Sequence, residues 1–104
     1  MWAQLIQTQL KPGEDTAELI QLIRSAEQPS SGLVRSIFMR DQADPSRVVT
    51  LVVFESEEKA RAREQDPRRA EQLAAARTIM ADIFEGPREF TDLVVIDEWT
   101  DATA

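Results

Sequence analysis

The chain contains no cysteine, no histidine and no tyrosine. Without cysteine there is no disulfide, no thiolate metal ligand and no thiol nucleophile. Without histidine the commonest general base and zinc ligand are missing, and no serine triad can be assembled. The three glycines form no phosphate-cradling loop, and no carboxylates cluster at metal-ligand spacing. Neither a metal nor a cofactor is therefore expected. Catalysis, if present, rests on carboxylates, arginine, lysine, amides, hydroxyls, indoles or the reactivity of the substrate itself. Basic residues are in deficit as well, 12 Lys and Arg against 19 Asp and Glu, a net charge of -7 that repels polyanions. No nucleic-acid partner is expected, because such binding draws on Lys and Arg against phosphate.

What is present suits a small folded unit. Hydrophobic residues make up 42% and charged residues 30%, well clear of a disordered composition. A length of 104 residues matches one domain, 1–104. The opening MWAQLIQTQLKPG has neither a basic stretch nor a long apolar run. The expectation is neither a signal peptide nor a membrane span, and a cytoplasmic location.

Residues 2–10 alternate as a strand, with Trp2, Gln4, Ile6, Thr8 and Leu10 on one side. Asp15 and Glu18 have capping-box spacing, and the period of Leu19, Ile20, Ile23 and Ala26 predicts a helix over about 16–27. Residues 33–40 and 46–54 read as a β-hairpin joined by the turn-forming Asp44, Pro45 and Ser46. Ser56 is placed as an N-cap for a short helix to about Gln65, and Asp66–Pro67 open a longer one. That longer helix carries the stripe Leu73, Ala76, Met80, Ile83 and Phe84, and Gly86–Pro87 end it. A fourth strand is predicted over 88–99. The order β, α, β, β, α, β is ferredoxin-like: an α+β fold in which two helices cover one face of a four-stranded antiparallel sheet.

The other face raises the question of a partner. Val48, Val49, Leu51, Val52, Val53 and Phe54 follow almost without interruption, so the third strand is apolar on both sides, as is the middle of the fourth. An uncovered apolar face of several hundred Å² is about the limit for a monomer. A second copy related by a twofold axis covers it, and a homodimer burying roughly 1,500 Å² is expected.

Residues 29–73, PSSGLVRSIFMRDQADPSRVVTLVVFESEEKARAREQDPRRAEQL, resemble the central part of the antibiotic biosynthesis monooxygenase (ABM) domain family, of the dimeric α/β barrel superfamily. The shared features are a glycine before the second strand, an Arg-Asp pair at its end, an Asp-Pro turn, an aromatic closing the third strand before Glu-Ser-Glu-Glu, and a Pro-initiated helix. The resemblance implies a homodimer with a pocket between sheet and helices for a small hydrophobic or aromatic molecule. It further implies cofactor-independent monooxygenation of a quinol or anthrone-like substrate, with a non-catalytic ligand-binding or structural dimer as the alternative. Two departures bear on the chemistry. Phe54 stands where the family usually has tryptophan, and Ile6 stands near the asparagine of the haem-degrading branch, whose histidine ligand is also absent.

No catalytic residue is assigned. For substrate binding, Gln4, Ile6, Arg35, Phe54, Arg77, Met80 and Phe84 are the candidates. Gln4 also has a plain reading as a solvated strand-end residue, and Phe54, Met80 and Phe84 as core. Arg35 alternates with Leu33, Ile37 and Met39, so it wants a carboxylate, either Asp92, Glu98 or one of a second subunit, more than a ligand. Arg77 flanks the long helix stripe, where an enolate or quinolate is within its reach, although stem burial with a wet guanidinium is commoner. Arg61, Arg63, Arg68 and Arg69 have a surface explanation in i, i+4 pairs with Glu57 and Glu64.

Overall fold

The computed structural model describes residues 1–101. In chain order the elements are β1 (Trp2–Leu10), α1 (Ala17–Ser25), β2 (Leu33–Arg40), β3 (Arg47–Phe54), α2 (Glu57–Glu64), α3 (Pro67–Gln72), α4 (Ala74–Ile83) and β4 (Phe84–Val94). The four strands form one antiparallel sheet in the order β2-β3-β1-β4, the ferredoxin-like arrangement expected from the element pattern.

Strand alternation divides the side chains between two faces. Trp2, Ile6 and Leu10 of β1 share a face with their β3 partners Phe54, Thr50 and the neighbouring Val48. On this face Leu10 and Val48 pack with Leu19 and Ala26 of the α1 region and with Leu73, Ala76 and Ile83. At the other end Trp2, Val52 and Phe54 pack with Ala60 of α2. The Trp2 and Phe54 rings lie 5.9 Å apart, tilted by 38°.

The caps follow the sequence in part. Ser56 accepts a hydrogen bond from the Lys59 amide, and Asp66 accepts one from the Arg68 amide, with Pro67 at the first helical position. At α1 the capping box does not form: Thr16 is the N-cap without a side-chain bond, and Asp15 accepts from the Ala17 amide instead. The long helix is divided at Leu73, although backbone bonds from Leu73 to the Arg69 carbonyl and from Arg77 to the Leu73 carbonyl, both 2.9 Å, carry the ladder across.

Phe84 belongs not to the helix stripe but to β4, where it pairs with Leu10, and Glu85 pairs with Gln9. A register shift between Gln7 and Gln9 accommodates Gly86, at φ 71°, and Pro87, which has no N–H to give the ladder. The strand ends at Val94, five residues before the expected end, where it pairs with Trp2 of β1. One further bond joins the Val95 amide to the Met1 carbonyl.

Beyond it the chain carries Glu98 to Arg35 on the opposite edge strand, an ion pair of 3.3 Å. Ala3 and Val53 are buried at that end of the second sheet face, while Leu5, Leu51 and Ile37 remain half-buried and Met39 is 41% exposed. Ile96 and Trp99 are 95% and 84% exposed. Among the described residues no helix is long and apolar enough to cross a membrane.

Two contacts fix α2 to the rest of the chain. Gly32 takes a positive φ of 86°, and a Cβ there would lie 2.7 Å from Lys59 Cβ, so only glycine lets the loop pass under α2. Arg63 grips Glu27, beyond the end of α1, through Nε at 2.9 Å and Nη2 at 2.6 Å, with its guanidinium 5.2 Å from the Phe54 ring centre. The Arg63 side chain is only 10% exposed. Burial pulls the Glu27 carboxyl upward, but hydrogen bonds from Arg63 and Ser31 and the charges of Arg63 and Arg69 outweigh it and hold the carboxyl below its usual range.

A carboxyl depressed by folding stabilises above its unfolded pKa and loses that contribution as pH falls through the folded value. Glu27→Gln is expected to lower stability by about 2 kcal/mol at pH 7, the range for a charge-assisted hydrogen bond in a nearly buried setting. Urea denaturation across pH should show the difference shrinking once pH falls below about 4.3, the ordinary glutamate value. Equal midpoints at pH 7 would show that the pair contributes nothing.

Candidate functional site

The two apolar clusters on the helix side of the sheet do not merge. Between them lies a cavity of about 370 Å³, walled by Val48, Leu19 and Leu73 from one cluster and by Val52 and Phe54 from the other. The volume falls in the range of small-molecule pockets. Local residue choice explains the gap. The middle of β3 presents Thr50, 8% exposed, where a large apolar side chain would fill the space. Phe90, half exposed, and Arg88 stand in the same wall, the guanidinium 5.3 Å from the ring centre.

Six of the seven residues proposed from sequence, Gln4, Ile6, Phe54, Arg77, Met80 and Phe84, line this cavity together. Arg35 does not: its cross-strand partner is Val53, on the opposite face, and its guanidinium meets Glu98, one of the carboxylates proposed for it. Gln4 takes part in an exposed chain of hydrogen bonds. Its amide nitrogen donates to Asp92 at 3.0 Å, and Asp92 in turn accepts from Arg61 at 3.1 Å. This chain ties down the Gln4 carboxamide at the cavity lining and leaves its carbonyl oxygen without a hydrogen bond to any described residue. Thr8 donates to the Val48 carbonyl at 3.4 Å, whereas the Thr50 hydroxyl has no hydrogen-bond partner among the described residues.

The wall is strongly cationic for a chain of net charge -7. Arg63, Arg69, Arg77 and Arg88 line it, with Glu64 as the single carboxylate. Their situations differ. Arg63 is neutralised by Glu27. Arg88 points Nη1 at the Met80 sulfur, 3.5 Å away. The Arg69 side chain makes no hydrogen bond or ion pair with any described residue. Burial pushes its guanidinium pKa down, and the neighbouring Arg63 adds to this; Glu27 and Glu64 offset part of it, while Arg77 pushes the same way as Arg63. Among the described residues no three acidic side chains converge as metal ligands would.

The arginine-rich stretch thus divides in a way its i, i+4 spacing does not reveal. Arg61 does pair with Glu57, at 3.3 Å, and lies 5.0 Å from the Trp2 ring centre. Arg68 turns back to its own N-cap Asp66, at 2.8 Å, instead of Glu64. Arg63 and Arg69 face inward. Helical spacing carries that information: Arg69 precedes the buried Leu73 by one turn, just as Arg77 follows it by one, and Arg63 stands three residues after the buried Ala60.

No family model and no curated protein matches the sequence. Solved structures do share its fold. A variant of SnoaB, a cofactor-independent oxygenase from Streptomyces nogalater, superposes with a TM-score of 0.67 at 14% identity, over 96% of this chain and 97% of that one. A structure named antibiotic biosynthesis monooxygenase gives 0.66 at 12% identity, over 93% and 100%. A dimeric ferredoxin-like protein from an uncultured marine organism gives 0.73 at 8% identity, over 97% and 92%. At such identities the likeness is one of fold, and the chain has the ferredoxin-like fold that antibiotic biosynthesis monooxygenases also carry.

Proposed function

We propose that this chain is a cytoplasmic homodimer that binds a small hydrophobic or aromatic molecule between its helices and sheet. Acting as a cofactor-independent monooxygenase, it lets a bound quinol or anthrone-like substrate react directly with O2. The observation that carries this reading is the cavity itself, apolar in its walls and lined by arginines, on a fold shared with a protein named a cofactor-independent oxygenase.

The chemistry asks little of the protein. An activated ring CH2 loses a proton, the resulting anion passes an electron to O2, and the two radicals combine. Loss of water then leaves a carbonyl, so that CH2 and O2 become C=O and H2O without an external reductant. The protein's part is to hold the substrate anion in a dry, cationic site, where fixed positive charge favours the ionised form. Arg77 and Arg69 supply that charge, and the Gln4 carbonyl and Thr50 hydroxyl supply orientation. No histidine or tyrosine exists to take the proton, and Glu64 lies half exposed, 3.8 Å from Arg61. Ionisation therefore follows the acidity of the substrate, shifted downward by the arginines.

The same absence of a base, together with Phe54 lacking a hydrogen-bond donor at the end of β3, favours a second reading. In it the dimer binds its ligand without turning it over. Oxygen uptake with a panel of anthrones and naphthohydroquinones separates the two. The proposed oxygenase consumes one O2 per carbonyl formed, at a rate that rises with pH through a substrate ionisation set below its solution value. Tight binding with no uptake above the uncatalysed rate assigns the chain to the non-catalytic reading.

The second sheet face supports the dimer. Leu5, Val49 and Leu51 remain only half-buried there, beside the exposed Met39 and Leu93. A second copy applying the same face gives a self-complementary interface of obligate character. Light scattering at micromolar concentration is expected to give twice the chain mass of 11.8 kDa. Leu51→Glu should give folded monomer or aggregate, and a stable wild-type monomer would overturn this part of the reading.

A further inference from the structure

Resting on the reading of this cavity as a ligand site, we propose that its ligand is an aromatic acid whose carboxylate seats against Arg69 on the α3 wall, with Arg77 reinforcing the field. Ring and anion are recognised by different parts of the cavity. Val52, Ile6, Leu73 and Met80 offer apolar surface to the ring, and Arg69 and Arg77 come from the helices that line the cavity.

The assignment to Arg69 comes from how the other charges are used. Arg63 lines the same cavity but is closed by Glu27, with both ends of the guanidinium bonded to the carboxylate. Arg88 is directed at the Met80 sulfur and the Phe90 ring. Of the acidic groups near Arg69, Glu27 is held by Arg63, and Glu64 lies 3.8 Å from Arg61. Neither comes within ion-pair distance of Arg69, so a half-buried guanidinium in the cavity lining has no carboxylate on its fork among the described residues. A partly desolvated charge without a partner is unfavourable, and a planar carboxylate matches the fork with two parallel bonds. Burial already holds the Arg69 pKa below its ordinary value, which is the direction a bound anion reverses. Arg77, two helical turns further along, adds positive potential without spending itself on a protein partner.

The test compares 2-naphthoate with the neutral 2-naphthamide by isothermal titration calorimetry on the full chain at pH 7. The two probes share ring and shape and differ in charge. Wild type is expected to bind 2-naphthoate at least tenfold more tightly than 2-naphthamide. Arg69→Gln, which removes the charge without breaking a side-chain hydrogen bond or ion pair to any described residue, should bring 2-naphthoate down to the amide's affinity and leave the amide within twofold. Equal affinities in wild type, or an unchanged preference in Arg69→Gln, overturn the carboxylate seat while leaving the cavity as an aromatic site. Binding of neither probe overturns the ligand-site reading and this proposal with it.

Discussion

Strand β3 has to be covered twice. Val48, Val52 and Phe54 need one apolar surface, and Val49, Leu51 and Val53 need another, yet the chain has helices for only one side. Burial at roughly 25 cal/mol per Å² makes both coverings worth several kcal/mol, which is of the order of the whole stability of a small domain. On the helix side the requirement is met by two separate clusters. On the other side the segment after β4 secures Glu98 to Arg35 at one end and leaves Leu51 and Ile37 half-buried. The proposed dimer and the proposed ligand site are thus consequences of one strand. Its outward residues lack a cover, and its inward row contains Thr50 where continuous packing would need a larger apolar side chain.

Charge is arranged around the cavity with the same economy of partners. A net negative chain places four arginines around one cavity, and among the described residues only Arg63 of the four has a carboxylate within ion-pair reach. That pair is structural: it ties α2 to the connection after α1, and its guanidinium covers the Phe54 ring. Arg61 does the equivalent for Trp2 from outside, linking Glu57, Asp92 and, through Asp92, Gln4. Two aromatics that pair across β1 and β3 are therefore each covered by an arginine, which closes this end of the sheet. The cations left without partners, Arg69 and Arg77, flank the buried Leu73 further along.

Much of the scaffold is legible in the sequence because it depends on local signals. The alternation of Trp2 to Leu10, the Ser56 and Asp66 caps and the turn at Asp44 to Ser46 each predict an element that forms. The misses arise where a distant partner decides. Phe84 suits the helix stripe, but Leu10 recruits it into β4. Ile96 and Trp99 continue an apolar run but lie outside the sheet, whose β4 pairing runs to Val94 against Trp2. The cavity is legible in its apolar members and in Arg77. Arg35 falls on the other face because its own alternation cannot say which face carries the helices. Arg63 and Arg69 are obscured by neighbouring glutamates at i, i+4 spacing, although the helical phase of Ala60 and Leu73 does point them inward.

The central claim is that the gap between the two clusters is a ligand site and the open sheet face is not. Methyl-resolved NMR of the wild-type chain titrated with 2-naphthoate tests it most directly. Saturable shifts at Ile6, Val48, Val52, Leu73 and Met80, with Ile37, Leu51 and Leu93 unmoved, are the predicted result. Shifts concentrated on Ile37, Leu51 and Leu93, or no saturable shifts at all, would contradict it.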